Sequence, residues 1–496
     1  MNRPVKRQRM EEPDAQTPES LQRSISPPKK RDRKSTVVKS PWQLTWIRDL
    51  PEGDNQDAVT LKDLLSDPLI SECWEFNFLH DIPFLMSSFD PDTRHLVKVH
   101  LVHGFWKRED ANRIALENAA SEFENVKIHI APMPEMFGTH HSKMIILFRH
   151  DGTAQVIIHT ANLIPKDWTN MTNGVWKSPL LPKLSGTQSI QASPEDHSVG
   201  SGQRFKIDLL NYLRAYDRRI KAALVASVPG KHDAKDMSET SWGWAALERC
   251  LQHVPCQDHG DSDIVVQVSS IATLGSKDDW LQKSLFEPLT RSKNPGLGRP
   301  RFKVVFPTAD EVRRSLDGYA SGGSIHTKIQ SPQQAKQLEY LRTIFHHWAN
   351  DSSRGAQLPE DTPLRDSGRK RAAPHIKTYI RSNKSSIDWG LLTSANISKQ
   401  AWGEAARPTG EMRIASWEIG VLVWPELIEQ DSIMVGTFKT DMPENTQSTG
   451  EKDGCKSIVG LRMPYNTPLQ RYATEEIPWV ASMSHTEPDW AGRTWI

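Results

Sequence analysis

The sequence predicts an α/β protein built from two similar domains related by pseudo-two-fold symmetry. Three observations carry that prediction. At 496 residues the chain exceeds one ordinary hydrophobic core. A His-x-Lys…Asn pattern occurs twice with one spacing. In each half, short apolar runs bounded by turn residues alternate with segments of helical period.

The duplication comes first. Asn162 lies 21 residues beyond the His of His141-x-Lys143, and Asn396 lies 21 beyond the His of His375-x-Lys377. An Ala precedes each Asn, and Trp168 and Trp402 each lie six residues past it. Five matched identities at fixed spacing, each costing roughly a factor of twenty on average composition, make coincidence a poor explanation. His326-Thr327-Lys328 has the same form, but position 347 is a His and no such Asn follows. It reads as a decoy in a loop.

Hydrophobic content of 37% and charged content of 25% suit a soluble globular chain. No apolar run approaches the ~18 residues of a membrane span, so no membrane association is expected. The four cysteines include no C-x-x-C, which argues against a zinc site or a disulfide framework. Residues 1–40 carry 11 Lys/Arg against 5 Asp/Glu. Since the whole chain is +1, the remainder is slightly acidic. Any nucleic-acid contact must therefore come from a local basic groove.

In chain order, residues 1–41 read as a disordered basic tail. Lys6-Arg7-Gln8-Arg9 and the cluster Lys29 to Lys34 resemble a two-part nuclear localisation signal. An N-terminal domain follows over 42–229. Leu96 to Gly104 alternates as a strand that feeds a helix over Asp110 to Phe123, and His100 and His103 read as strand residues rather than ligands. Met144 to Phe148 and Val156 to Ile158 are strands flanking the first motif. An amphipathic helix is expected over Lys206 to Leu224, with Leu209, Leu210, Leu213, Tyr216 and Ile220 on one face.

The second domain is expected over 230–496. Its strands are Ile264 to Val268 and Phe302 to Phe306, with Tyr379-Ile380 and Gly390 to Leu392 beside the second motif. Ser331-Pro332 caps a helix expected to run to Trp348 with Leu338, Leu341, Ile344 and Phe345 buried. Residues 349–371 read as a polar linker.

The two motifs contain no carboxylate cluster, so neither a divalent metal nor another cofactor is expected. Two Lys and two Asn supply donors for a phosphoryl group that gains charge in its transition state. Two imidazoles can divide nucleophilic attack from proton transfer, and the pseudo-symmetry leaves open which one attacks. Glu418 lies 22 residues past Asn396, whereas Asn173 lies 11 past Asn162. An acid in one half alone would orient one imidazole more than the other, unless Glu418 is a surface strand residue.

The paired motifs resemble the phospholipase D superfamily in its H-x-K…N form. Gly138 to Lys143, His159 to Leu163, Pro374 to Tyr379 and Thr393 to Lys399 are similar to the tyrosyl-DNA phosphodiesterase family, from about Trp42 onward. The resemblance implies two α-β-α sandwich domains and a DNA-repair phosphodiesterase that removes tyrosine or peptide adducts from DNA 3′ ends through a phosphohistidine. It implies His141 as nucleophile, His375 as general acid and base, and Glu418 as a supporting acid. Lys143, Lys377, Asn162 and Asn396 would bind the scissile phosphate.

Phe137, Ser270, Thr273, Ser398 and Lys399 match DNA-holding positions of the family. Its substrates would be single-stranded, nicked or blunt 3′ ends, acted on by a monomer in the nucleus. Two positions depart from the pattern. Asn173 stands where a Gln is expected, and Ala481 where a second Trp is expected on the peptide side. A lipid phosphodiesterase, a nuclease on internal phosphodiesters and a non-catalytic DNA-end binder are the rival readings.

Overall fold

A computed structural model describes residues 36–182, 198–216, 225–235, 240–257, 261–294, 296–352, 363–383, 385–444 and 457–496. The basic clusters of the tail lie outside the described residues. Among the described residues, twenty strands alternate with helices. In the N-terminal half they are β1 Val37–Val38, β2 Trp42–Leu44, β3 Ile70–Phe76, β4 Lys98–His103, β5 Val126–Ile130, β6 Met144–Arg149, β7 Thr153–His159, β8 Gly174–Lys177 and β9 Leu181–Pro182. Then follow β10 Val225–Ser227, β11 Gly230–Asp233, β12 Asp263–Gln267, β13 Arg301–Val305, β14 Phe345–His346, β15 Thr378–Ser382 and β16 Ile387–Thr393. The last are β17 Glu411–Ile414, β18 Glu418–Val423, β19 Ser432–Thr437 and β20 Ser457–Arg462.

Two large mixed sheets result, as the duplication requires. The first runs β2-β8-β7-β6-β3-β4-β5, and the second β1-β20-β19-β16-β15-β12-β13-β14, with β18 beside β16. The series β8-β7-β6-β3-β4-β5 thus repeats as β18-β16-β15-β12-β13-β14. In both, the first three pairings are antiparallel and the last two parallel. The central strands are buried on both faces and read as unbroken apolar runs such as Met144-Ile145-Ile146-Leu147.

One core cluster spans both halves, and a second lies within the first half alone. Trp42, Met144 and Ile158 from the first sheet pack in the same cluster as Ile376, Leu392 and Trp417 from the second. A Cβ on Gly174 would lie 2.6 Å from Leu392 Cδ1 and 2.9 Å from Ile376 Cδ1, so glycine is what lets the sheets meet there.

Several expectations need correction. The fold starts before Trp42, because Val37 and Val38 pair with Ile458 and Val459 of the second sheet. The chain joins that sheet again at Val225, ahead of residue 230. The helix capped by Ser331 ends at Arg342, not Trp348. The β-favouring Phe345-His346 instead adds a parallel strand beside Val304 and Val305.

The polar linker is partly interior. Arg369 is buried with its Nη1 donating to Asn55 Oδ1 at 3.1 Å, while 353–362 lie outside the described residues. The helix of the first half spans Gly202–Tyr216 and buries Leu209, Tyr212 and Leu213, with 217–224 outside the described residues. The helix Ala111–Ala120 starts as expected, its cap Asp110 accepting from the Asn112 amide. His100 and His103 are strand residues of β4, as expected. No helix among the described residues is long and apolar enough to cross a membrane.

Candidate active site

Each motif sits immediately before a central strand. Met144 pairs with Ile158 across β6 and β7, and Thr378 with Leu392 across β15 and β16. In both halves the residue after the Lys therefore faces the residue four before the Asn. The ladder continues one step: Lys143 O accepts from His159 N, and Lys377 O from Thr393 N, both at 3.1 Å. Each buried Lys turns back so that Nζ donates to the carbonyl of its own His: Lys377 to His375, and Lys143 to His141 at 3.0 Å.

The halves exchange partners at the imidazoles. The His141 amide donates to Trp417 O at 3.0 Å, and its Nδ1 lies 3.0 Å from Glu418 Oε2, both in the other half. The His375 amide donates to Thr172 O at 3.0 Å, and its Nδ1 lies 3.1 Å from Asn173 Oδ1 and 3.2 Å from Asp167 Oδ2. Neither site is complete within one sheet. The approach that allows this is tight at Gly138, where a Cβ would stand 1.9 Å from Ala415 O.

Charge in this pocket is set by burial. Burial pushes His141 down to about 4, against the upward pull of Glu418 and with Lys143 and Lys377 reinforcing it. His375 is pushed well below the usual histidine value, by burial first and then by Lys377, Lys143 and His141. Each ring thus feels both lysines, and His375 also feels His141, so the four groups lie within electrostatic reach of one another. Burial lowers Lys143 to about 8 and Lys377 well below its ordinary range. Glu418 is held below the usual Glu value despite burial, chiefly by His141 and the Ser394 hydroxyl. Burial raises Asp167, so its contact with His375 joins a neutral ring to a carboxyl that resists ionising.

In the resulting tautomer at neutral pH, His141 Nδ1–H points at Glu418 and its Nε2 lone pair is free. His375 Nδ1–H points at Asn173, whose Nδ2 donates to Asp167 O at 2.7 Å, leaving Oδ1 as the acceptor. The short amide therefore reaches His375. Glu418 is buried, which rejects the surface-strand alternative.

Asn396 is oriented the same way: Oδ1 accepts from the amides of Ser269 and Ser270 at 3.1 and 2.9 Å. Ser270 and the exposed Thr273 follow β12 at the same edge. Ser398 caps the helix Lys399–Trp402, so its Oγ is engaged by the Ala401 amide, while Lys399 stays half-exposed. Phe137 is 80% exposed on the loop leading to His141. Asn162 is buried, its amide N–H held by Asp167 Oδ2 at 2.8 Å. Ala481 donates its amide to Thr327 O and packs partly buried against the core.

Three residues escaped the sequence reading: Asp167, Thr160 and Ser394. Asp167 stands five past Asn162 where the second copy has Ala401, so aligning the repeats past their identities would have exposed it. Among the described residues, no group of three or more His, Cys, Asp or Glu is arranged to hold a metal ion.

The model of the tyrosyl-DNA phosphodiesterase family matches residues 41–473. A probable tyrosyl-DNA phosphodiesterase of Schizosaccharomyces pombe is 30% identical, over 95% of this chain and 99% of its own. Tyrosyl-DNA phosphodiesterase 1 of Arabidopsis thaliana is 29% identical, over 92% of this chain and 76% of its own. Among solved structures, yeast tyrosyl-DNA phosphodiesterase shares the fold at a TM-score of 0.60 and 20% identity, covering 89% of this chain and 99% of that one. With its two matching mixed sheets, the chain belongs to the tyrosyl-DNA phosphodiesterase family and is a DNA-repair phosphodiesterase that hydrolyses phosphotyrosyl-DNA.

Proposed function

We propose that the enzyme hydrolyses 3′-phosphotyrosyl linkages of the topoisomerase I type, and related 3′ adducts, through a phosphohistidine on His141, leaving a 3′-phosphate. The unequal partners of the two imidazoles carry this reading. His141 Nδ1–H meets a buried carboxylate, which stabilises positive charge as Nε2 forms its bond to phosphorus. As that bond forms, the phosphorus–phenolic oxygen bond breaks, and a proton from His375 Nε2 goes to the departing tyrosine oxygen. Lys143, Lys377, Asn162 and Asn396 hold the non-bridging oxygens.

His375 rests neutral beside two lysines, so it gains its proton once the substrate anion offsets their charge. In the second step neutral His375 takes a proton from water. The water oxygen bonds to phosphorus, and the phosphorus–nitrogen bond to His141 breaks. Two features support nuclear localisation of a monomer-sized unit: the paired basic clusters at Lys6–Arg9 and Lys29–Lys34, and a site completed within one chain.

The test is the fate of the adduct. His375→Ala should form the covalent enzyme–DNA species and release it about 10²–10⁴-fold more slowly, since one acid–base catalyst is gone. His141→Ala should form none. A denaturing gel with the adduct in His141→Ala and not in His375→Ala would reverse the two roles.

A further inference from the structure

The helix Gly202–Tyr216 carries two tyrosines one turn apart, and both hydroxyls end beside the first His-x-Lys motif. The Ser142 hydroxyl contacts that of Tyr212, which lies 3.1 Å from the Tyr216 hydroxyl, which in turn lies 2.9 Å from His140 Nε2. The direction of this chain is fixed at its far end. His140 Nδ1 stands 2.8 Å from Asn77 O, a carbonyl that can only accept, so Nδ1 carries the proton. Burial pushes His140 down to about 3, which keeps its ring neutral, and burial raises both phenols so that they keep their protons. His140 Nε2 therefore accepts from Tyr216, Tyr216 from Tyr212, and Tyr212 from Ser142.

The two residues held at the ends of this chain, His140 and Ser142, are the sequence neighbours of His141. The same tyrosines also hold the neighbour of Glu418. Tyr216 stacks on Trp417 with ring centroids 3.9 Å apart, and Tyr212 meets that indole edge-on at 5.6 Å. Trp417 is fixed further by its Nε1, which donates to Pro132 O, and by its amide, which donates to Thr139 O, both at 2.9 Å. The helix thus grips both sides of the His141–Glu418 contact, one through hydroxyls and the other through ring faces. The second copy is built differently: Pro374 and the buried Ile376 flank His375, and neither side chain can hydrogen-bond.

We propose that Tyr212 and Tyr216 are positioning residues that hold the His141 ring against Glu418 for its attack on phosphorus. His141 lies just before β6, outside any regular element, so its direction depends on what grips its neighbours. An attacking nitrogen must meet phosphorus in line, and a small misplacement of that atom is expensive. Once Nε2 is bonded to phosphorus, the bond itself holds the ring. The support therefore matters to formation of the adduct and little to its breakdown. This inference rests on the reading of His141 as the nucleophile.

The experiment measures single-turnover formation and breakdown of the adduct by the full chain on a 3′-phosphotyrosyl oligonucleotide. Tyr212→Phe and Tyr216→Phe keep the rings and remove only the hydroxyls. Each should slow formation about five- to fiftyfold, as a displaced reacting group does, with breakdown little changed. Affinity for an oligonucleotide ending in a 3′-phosphate should also hold. Ser142→Ala should slow formation likewise, and Ser142→Ala combined with Tyr212→Phe should be no slower than either alone, since both cut one chain. Tyr472→Phe is the control, removing another buried hydroxyl that donates to Phe306 O at 2.6 Å. It should lower thermal stability and leave both steps intact. Peptide mapping of the rapidly quenched wild-type adduct reads the nucleophile separately. Phosphorus on His375 would end the nucleophile reading and this proposal with it. Phosphorus on His141, with formation unslowed, both steps slowed equally, or the same slowing in Tyr472→Phe, would overturn the proposal alone.

Discussion

Asn173 and Glu418 occupy the same position in the two halves. Thr160 donates its hydroxyl to Asn173 Oδ1 at 2.8 Å, and Ser394 donates to Glu418 Oε2. Each hydroxyl also accepts from the next amide, Gly174 N at 3.0 Å and Ile419 N at 2.9 Å. The register agrees, with His159 facing Val175 and Thr393 facing Gly420. One backbone design thus presents an amide to His375 and a carboxylate to His141. That difference, together with Asp167 beside His375 where the second copy has Ala401, distinguishes the two imidazoles.

Restoring the symmetry should shift the titration of His375. In Asn173→Asp a carboxylate would lie beside Nδ1, where Oδ1 now stands at 3.1 Å. An opposite charge at that range raises a pKa by about 1–3 units. His375 now sits below its ordinary value, so the change moves it upward. Breakdown of the adduct, which in the proposed mechanism needs the neutral ring, should then fall off on the acid side at a higher pH than in the wild type and recover as pH rises. Single-turnover pH profiles check this, and an unshifted profile would show that Asn173 does not govern the ring.

The opposite change tests the proposed nucleophile, His141. Glu418→Gln replaces a charge-assisted hydrogen bond worth about 1.5–3 kcal/mol, so adduct formation should slow about ten- to a hundredfold. Glu418 raises the His141 pKa, so its loss lowers that value further below about 4. The acid limb for adduct formation should therefore move to lower pH even as the rate falls. A limb that moved upward would contradict the sign of that coupling.

Much of this was legible beforehand because it rests on short-range rules. The repeat spacing survives because each His-to-Asn segment is one hairpin of fixed register. The helix cap at Asp110 and the apolar runs of β6 and β12 are local signals too. What was hidden depends on contacts distant in sequence. Glu418 and Asn173 were both visible in the sequence, but their equivalence was not, because the second half inserts the chain around β17, which pairs with β11. Asp167 has a local partner in the Asn162 amide, but its contact with His375 lies far along the chain and leaves no local signal. Arg369 reads as linker until Asn55 is brought beside it. Val37-Val38 is too short to signal a strand without β20 to pair with.

The close approach of the halves makes its own prediction. Gly138→Ala would drive a methyl into Ala415 O, a backbone atom that has no rotamer in which to escape. The cost should be about 1–3 kcal/mol of stability, as for other overpacked positions. Activity should fall further, because His141 follows three residues later and takes its amide partner from Trp417. Gly202→Ala, with nothing within 4 Å of the added Cβ, is the matched control. Thermal unfolding and turnover measured on both variants separate local strain from a general effect of the methyl.

In the proposed mechanism positive charge for the phosphate comes from lysines, and this predicts both a pH limit and a metal response. Lys143 titrates at about 8 in the free enzyme because burial disfavours its charged form. Above that pH the free site loses a cation, so KM should rise while kcat holds, since bound phosphate draws the proton back. Lys143→Met, which keeps the length and removes the charge, should raise KM across the whole pH range and abolish the limb near 8. The acids nearby are engaged: Glu418 by His141 and Ser394, Asp167 by the Asn162 amide and His375. Turnover should accordingly be the same in excess EDTA as in Mg²⁺. A requirement for added divalent ion would mean that the lysines do not suffice to neutralise the phosphoryl oxygens.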